Sequence, residues 1–106
     1  MSMPRNIFYE DQRLVILRSL VDCGYDANES ILNDCLGLYG HDISRDLVKN
    51  HLHWLEEQGL VTLTHITTLA TPQNHDFLVA SITQRGLDVA QGRAMVNGVK
   101  RPSPTC

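Results

Sequence analysis

Between Ser44 and Gln58, polar and charged side chains recur on one side of a helical period: Arg45, Asp46, Lys49, Asn50, His53, Glu56 and Glu57. Arg45 and Lys49 carry donors suited to guanine edges or phosphate oxygens. Asn50 carries the paired donor and acceptor that match adenine, and Asp46 can accept from cytosine. A solvated helix face has the same make-up, so residue types alone leave nucleic-acid contact and plain solvation both open. Other groups lack the spacing that their chemistry requires. His41, His51, His53, His65 and His75 form no His-Glu-x-x-His motif and adjoin no suitably spaced cysteine pair, so no metal site is expected. Ser44, Cys23 and Cys35 have no recognisable base or nucleophile elbow nearby. Asp11, Asp22, Asp34 and Asp88 read as solvated helix charges. Neither an enzyme nor a cofactor is expected.

The elements that would position the polar face follow from periodicity. A first helix is predicted from about Tyr9 to Cys23, with Leu14, Leu17 and Val21, joined by Ile16 and Leu20, on its buried side and Gly24 at its end. A second starts after the N-cap Asn28, with Glu29 favouring its positive end and Ile31, Leu32, Cys35 and Leu36 facing inward. The third runs from the N-cap Ser44 to Gln58 and closes at Gly59. Leu47, Val48, His51, Leu52, Trp54 and Leu55 cover its apolar side. Trp54, at the edge of that side, is expected to pack against the strands that follow, or else to meet a subunit or partner. The period then changes. Leu60 to Ile66 reads as a strand, Thr71 to His75 as a turn, and Asp76 to Ile82 as the returning strand of a hairpin. Thr83 caps a short last helix to about Gln91, with Leu87 and Ala90 inward.

Length and charge bound the possibilities. The 106 residues suit one core, and the expected division is a domain at 1–92 and a basic tail, extended or mobile, at 93–106. Apolar runs fall far short of the roughly 20 residues that a membrane span needs. The start lacks the apolar stretch of a signal peptide, so a soluble cytoplasmic protein is expected. The odd set Cys23, Cys35 and Cys106 reads as free thiols of a reducing compartment. Residues 1–92 hold six Arg or Lys against twelve Asp or Glu, while 93–106 hold Arg93, Lys100 and Arg101 and no acid. An acidic body opposes contact with phosphate, which favours basic surfaces.

The run His51-Leu52-His53-Trp54-Leu55-Glu56-Glu57-Gln58-Gly59-Leu60-Val61 resembles the end of the recognition helix in ArsR- and MarR-type winged-helix regulators. Ile82-Thr83-Gln84-Arg85-Gly86-Leu87 resembles their step from wing into last helix. Over its whole length, including Gln84 to Ala90 and Gly98 to Pro104, the chain is similar to small winged-helix proteins of Mu-like phages and prophages. The resemblance implies an α+β, mostly helical winged helix-turn-helix: a three-helix core, a two-stranded wing and a short C-terminal helix. It also implies a DNA-binding regulator or accessory protein, dimeric and in the bacterial host's cytoplasm, with the third helix in the major groove of double-stranded DNA. Ser44, Arg45, Asp46, Lys49, Asn50 and His53 would then face DNA, and Arg93, Lys100 and Arg101 would follow phosphates. The pattern departs from the family's at three places. Residues 44–58 hold no cysteine for metal sensing, Ile66 to Asp76 hold no Arg or Lys for the minor groove, and no long terminal helix follows Gly92. The alternative is a protein-interaction module on the same scaffold, binding a phage or host protein in assembly or host takeover.

Overall fold

A computed structural model describes residues 6–68 and 75–102. The first helix, α1 (Ile7–Asp22), is capped by Asn6, whose side chain accepts the Tyr9 N–H at 3.0 Å. Its run Leu14-Val15-Ile16-Leu17, with Leu20, is buried throughout. A single stripe was expected, whereas α1 is packed by the second, third and last helices and by the sheet, and so is apolar on most sides. Arg18 and Asp22 stay exposed.

After Gly24 the chain forms an unexpected strand, β1 (Asp26–Asn28), whose three residues are too few to show a period. Asn28 ends it and caps α2 (Glu29–Leu38), accepting the Ile31 N–H at 2.9 Å. The inner face of α2 is narrower than its sequence suggests. Leu32 and Leu36 are fully buried, Cys35 is half-buried, and Ile31 is exposed. The third helix, α3 (Arg45–Glu57), begins where Ser44 Oγ accepts the Leu47 N–H at 3.1 Å. Val48, His51, Leu52 and Leu55, at successive spacings of three, one and three, are its buried side. Its end folds over at Gly59, and the Leu60 N–H returns to the Leu55 carbonyl at 3.0 Å.

That turn delivers the chain into β2 (Val61–Thr68), which pairs antiparallel with β3 (His75–Ile82) from Val61↔Ile82 to Thr68↔His75. The expected turn at Thr71–His75 lies outside the described residues save for His75, which opens β3. Leu78 and Ala80 are buried and alternate with half-buried neighbours, so one face of the ribbon covers the core. β1 adds to the far side of β3 through Asp26↔Ser81, Ala27↔Ala80 and Asn28↔Val79, giving the order β1-β3-β2. Thr83 then ties both ends of the hairpin together. Its hydroxyl donates to the Gly59 carbonyl at 2.7 Å and accepts the Gly86 N–H at 3.0 Å, opening α4 (Gln84–Ala90). Gly86 passes so near Leu60 that an added Cβ would fall 2.1 Å from its carbonyl oxygen. Three helices, a hairpin with a short third strand, and a closing helix make a winged-helix fold of the α+β class, mostly helical.

Residues beyond α4, expected to be extended or mobile, are seated on α1 and α3 as far as Pro102. Val99 is buried, Ala94 and Val96 pack on the core, and the Lys100 N–H donates to the Glu10 carbonyl at 3.1 Å. Gly98 and Pro102 exclude regular structure, as their types imply. The apolar anchors Ala94, Val96 and Val99 hold the segment in place.

Candidate nucleic-acid interface

With about 100° per residue, α3 turns three distinct sides outward. Asp46, Asn50, His53 and Glu57 form the outermost strip and are exposed. Arg45, Lys49 and Glu56 turn toward the hairpin, and Trp54 turns the other way. Ser44 is exposed at the head of the helix, its oxygen engaged as the cap.

On the hairpin side, Arg45 Nη2 lies 3.7 Å from Glu29 Oε1, and Lys49 Nζ lies 3.8 Å from Glu29 Oε2. Glu56 accepts the Leu63 N–H at 3.3 Å, tying α3 to β2. Lys49 and His53 also line a crevice of about 120 Å3 with His65, Phe77 and Leu78. The His53 and His65 rings are 6.5 Å apart between centroids. His65 therefore brings a wing residue into the same neighbourhood as two of the expected contacts. The helical pattern of residues 44–58 could not reveal it, because His65 reaches α3 only through the fold of the hairpin.

On the opposite side, Arg13 of α1 is the hub. Its guanidinium carbon lies 4.0 Å from the centre of the Trp54 ring, Nη1–H donates to the Gly98 carbonyl at 3.1 Å, and Nε–H donates to His51 Nδ1 at 3.2 Å. Arginine can only donate, so Nδ1 is the acceptor and the ring proton sits on Nε2, which donates to Gln12 Oε1 at 2.8 Å. Burial, and then the charge of Arg13, hold His51 down to a pKa of about 4. Trp54, expected to pack against the hairpin, meets Arg13 and Gly98 instead. The Gly98 backbone comes so close that a Cβ there would fall 2.5 Å from the indole ring.

The basic residues of the C-terminal segment are dispersed. Arg93 donates twice to Asp88 Oδ1, at 3.2 and 3.0 Å, and Gln84 donates to the same oxygen at 3.1 Å. These hydrogen bonds, Arg93 first, hold the Asp88 carboxyl below its ordinary pKa. Lys100 Nζ lies 3.6 Å from Asp11 Oδ1, whose other oxygen meets His41 Nε2 at 2.6 Å. Arg101 is exposed. The structure thus brings Ser44, Arg45, Asp46, Lys49, Asn50 and His53 onto one surface with the wing, and sets Arg93 and Lys100 beside acids of α4 and α1. Among the described residues, no three of His, Cys, Asp and Glu come together as metal ligands. No helix among them is long and apolar enough to cross a membrane.

Nearly the whole chain has counterparts in phage and bacterial sequences. It is 54% identical over 102 residues to the uncharacterized protein gp26 of Escherichia phage Mu, covering 96% of this chain and 98% of that one. It is 51% identical over 100 residues to an uncharacterized protein of Haemophilus influenzae, covering 94% and 91%. Among solved structures, it is similar to a transcriptional regulator homologue from Pyrococcus horikoshii, with a TM-score of 0.55 and 25% identity. That match covers 74% of this chain and 68% of the other. No protein-family model matches.

Proposed function

This chain belongs to the family of the phage Mu protein gp26, and on that footing we propose that it binds double-stranded DNA as a regulator or accessory protein of Mu-like phages and prophages. α3 enters the major groove with Asn50 and His53 toward base edges and Arg45 and Lys49 toward phosphate, while the hairpin follows the adjacent backbone. One observation carries this reading: the outer strip of α3 stands exposed beside the wing while the opposite side of the helix is core. The regulator-like fold supports it. Two copies in the host cytoplasm would meet two half-sites. Arg101, exposed in the C-terminal segment, is a further phosphate contact. Arg93 and Lys100 contribute by leaving Asp88 and Asp11.

Fluorescence anisotropy with duplexes spanning the phage's promoter and packaging regions tests this. Salt-sensitive binding is expected, with Asn50→Ala losing sequence preference at a cost of about 1–3 kcal/mol. No salt-sensitive binding to any duplex would overturn it.

A second reading, a protein-interaction module in phage assembly or host takeover, is favoured by one feature. The two cations of α3 stand among Asp46, Glu56, Glu57 and the buried Glu29. A stoichiometric phage or host protein retained by the folded chain after nuclease treatment is the expected result. Recovery of nucleic acid alone removes this reading.

A further inference from the structure

Glu29 is buried, although it opens a helix only one residue beyond a strand. Its Oε1 accepts the Leu78 N–H at 2.9 Å. Oε2 has no hydrogen-bond partner among the described residues. A carboxylate removed from water needs compensating charge, and here it comes from Arg45 and Lys49, at 3.7 and 3.8 Å. Those two side chains remain 54% and 39% exposed, against 1% for Glu29. Their separations from Glu29 exceed hydrogen-bond length, so the attraction is Coulombic and their N–H groups keep directions open toward an outside acceptor.

We infer, resting on the DNA-binding reading above, that Glu29 is a positioning residue. It holds Arg45 and Lys49 on the wing side of α3 and weakens their pull on any phosphate backbone. One buried negative charge is shared between two cations, so together they act on phosphate as roughly one. Non-specific attachment is thereby restrained, and recognition falls more heavily on the outer strip of Asp46, Asn50 and His53.

The test uses the full chain and a random-sequence duplex, with binding followed by anisotropy over a salt series. Glu29→Gln keeps the acceptor for the Leu78 N–H and removes the charge. It is expected to tighten binding by about threefold to tenfold and to steepen the log–log salt slope by about one. A purely structural role would weaken binding. In an Arg45→Gln/Lys49→Gln background, the same change at Glu29 is expected to have no effect. A second measurement leaves the buried position untouched: Arg45→Gln/Lys49→Gln alone should flatten the slope by about one, not the roughly two units of two independent phosphate contacts. Three results overturn the inference while leaving DNA binding standing. They are Glu29→Gln binding no tighter than the native chain, a gain that persists without the two cations, and a flattening of about two. Absence of duplex binding by every variant overturns the DNA-binding reading and this inference together.

Discussion

On the hairpin side of α3, a buried carboxylate faces two cations and Glu56 meets the backbone of Leu63. On the other side, Arg13 lies over Trp54 and joins a neutral histidine to the Gly98 carbonyl. The first attachment is Coulombic and leaves its cations wet. The second is close-packed and directional, with His51 and Gln12 buried and Arg13, Trp54 and Gly98 half-buried. Directional hydrogen bonds and close contacts between rings and backbone are costly to disturb, whereas the half-exposed cations paired with Glu29 are screened by solvent. One helix is thus fastened rigidly along the flank nearest the C-terminal segment and more loosely along the flank nearest the wing.

Four perturbations probe that asymmetry, beginning with the largest expected effect. Arg13→Ala removes the donors to His51 and Gly98 and uncovers Trp54, which should lower unfolding free energy by about 3 kcal/mol, measured by urea titration. Acidification acts on the same flank. Burial holds His51 down to a pKa of about 4 in the folded chain, against an ordinary 6.5, so the unfolded chain takes up the proton first. The His51 contribution is fully present above pH 6.5 and is lost as pH falls toward 4. The loss should be on the order of 2–3 kcal/mol and be absent from His51→Gln. Urea midpoints recorded at successive pH values check this.

Gly98→Ala ranks third. Its Cβ would meet the indole ring, and its φ of +100° disfavours any side chain. A loss of about 2 kcal/mol is expected, together with a red shift in the emission of Trp54, the one tryptophan of the chain. Glu56→Gln, on the hairpin side, should cost no more than about 0.5 kcal/mol in the same titration. A Glu56 effect equal to that of Arg13 would erase the contrast between the flanks.

Features written in a few consecutive residues are legible in the sequence alone. Ser44 as a cap, the spacing of Val48, Leu52 and Leu55, and Gly59 at the close define α3, because capping, period and chain reversal are local. Thr83 before α4 belongs to the same kind. The exposure of Asp46, Asn50 and His53 followed from helical phase. What escaped depends on distant partners. β1 exists because β3 offers an edge to three residues that carry no pattern of their own. Glu29 read as a residue favouring a helix start, and its burial arises only when α3 and β3 close over it. Helical phase puts Trp54 at the edge of the apolar side, but its neighbours come from α1 and from Gly98, 44 positions further on. Whether the exposed strip meets bases is a property of a complex, and periodicity cannot supply it.

β1 stops at Asn28, opposite Val79, so the sheet has three strands at its root and only two beyond. The ribbon is therefore a cantilever: stiff where Thr83 and β1 clamp it, and less braced from His65↔Leu78 to Thr68↔His75, where β2 and β3 pair alone. The clamp is also the start of α2, since Asn28 caps that helix. Load applied at the far end would arrive as torque on the beginning of α2, and the length of a three-residue strand sets how long the lever arm is.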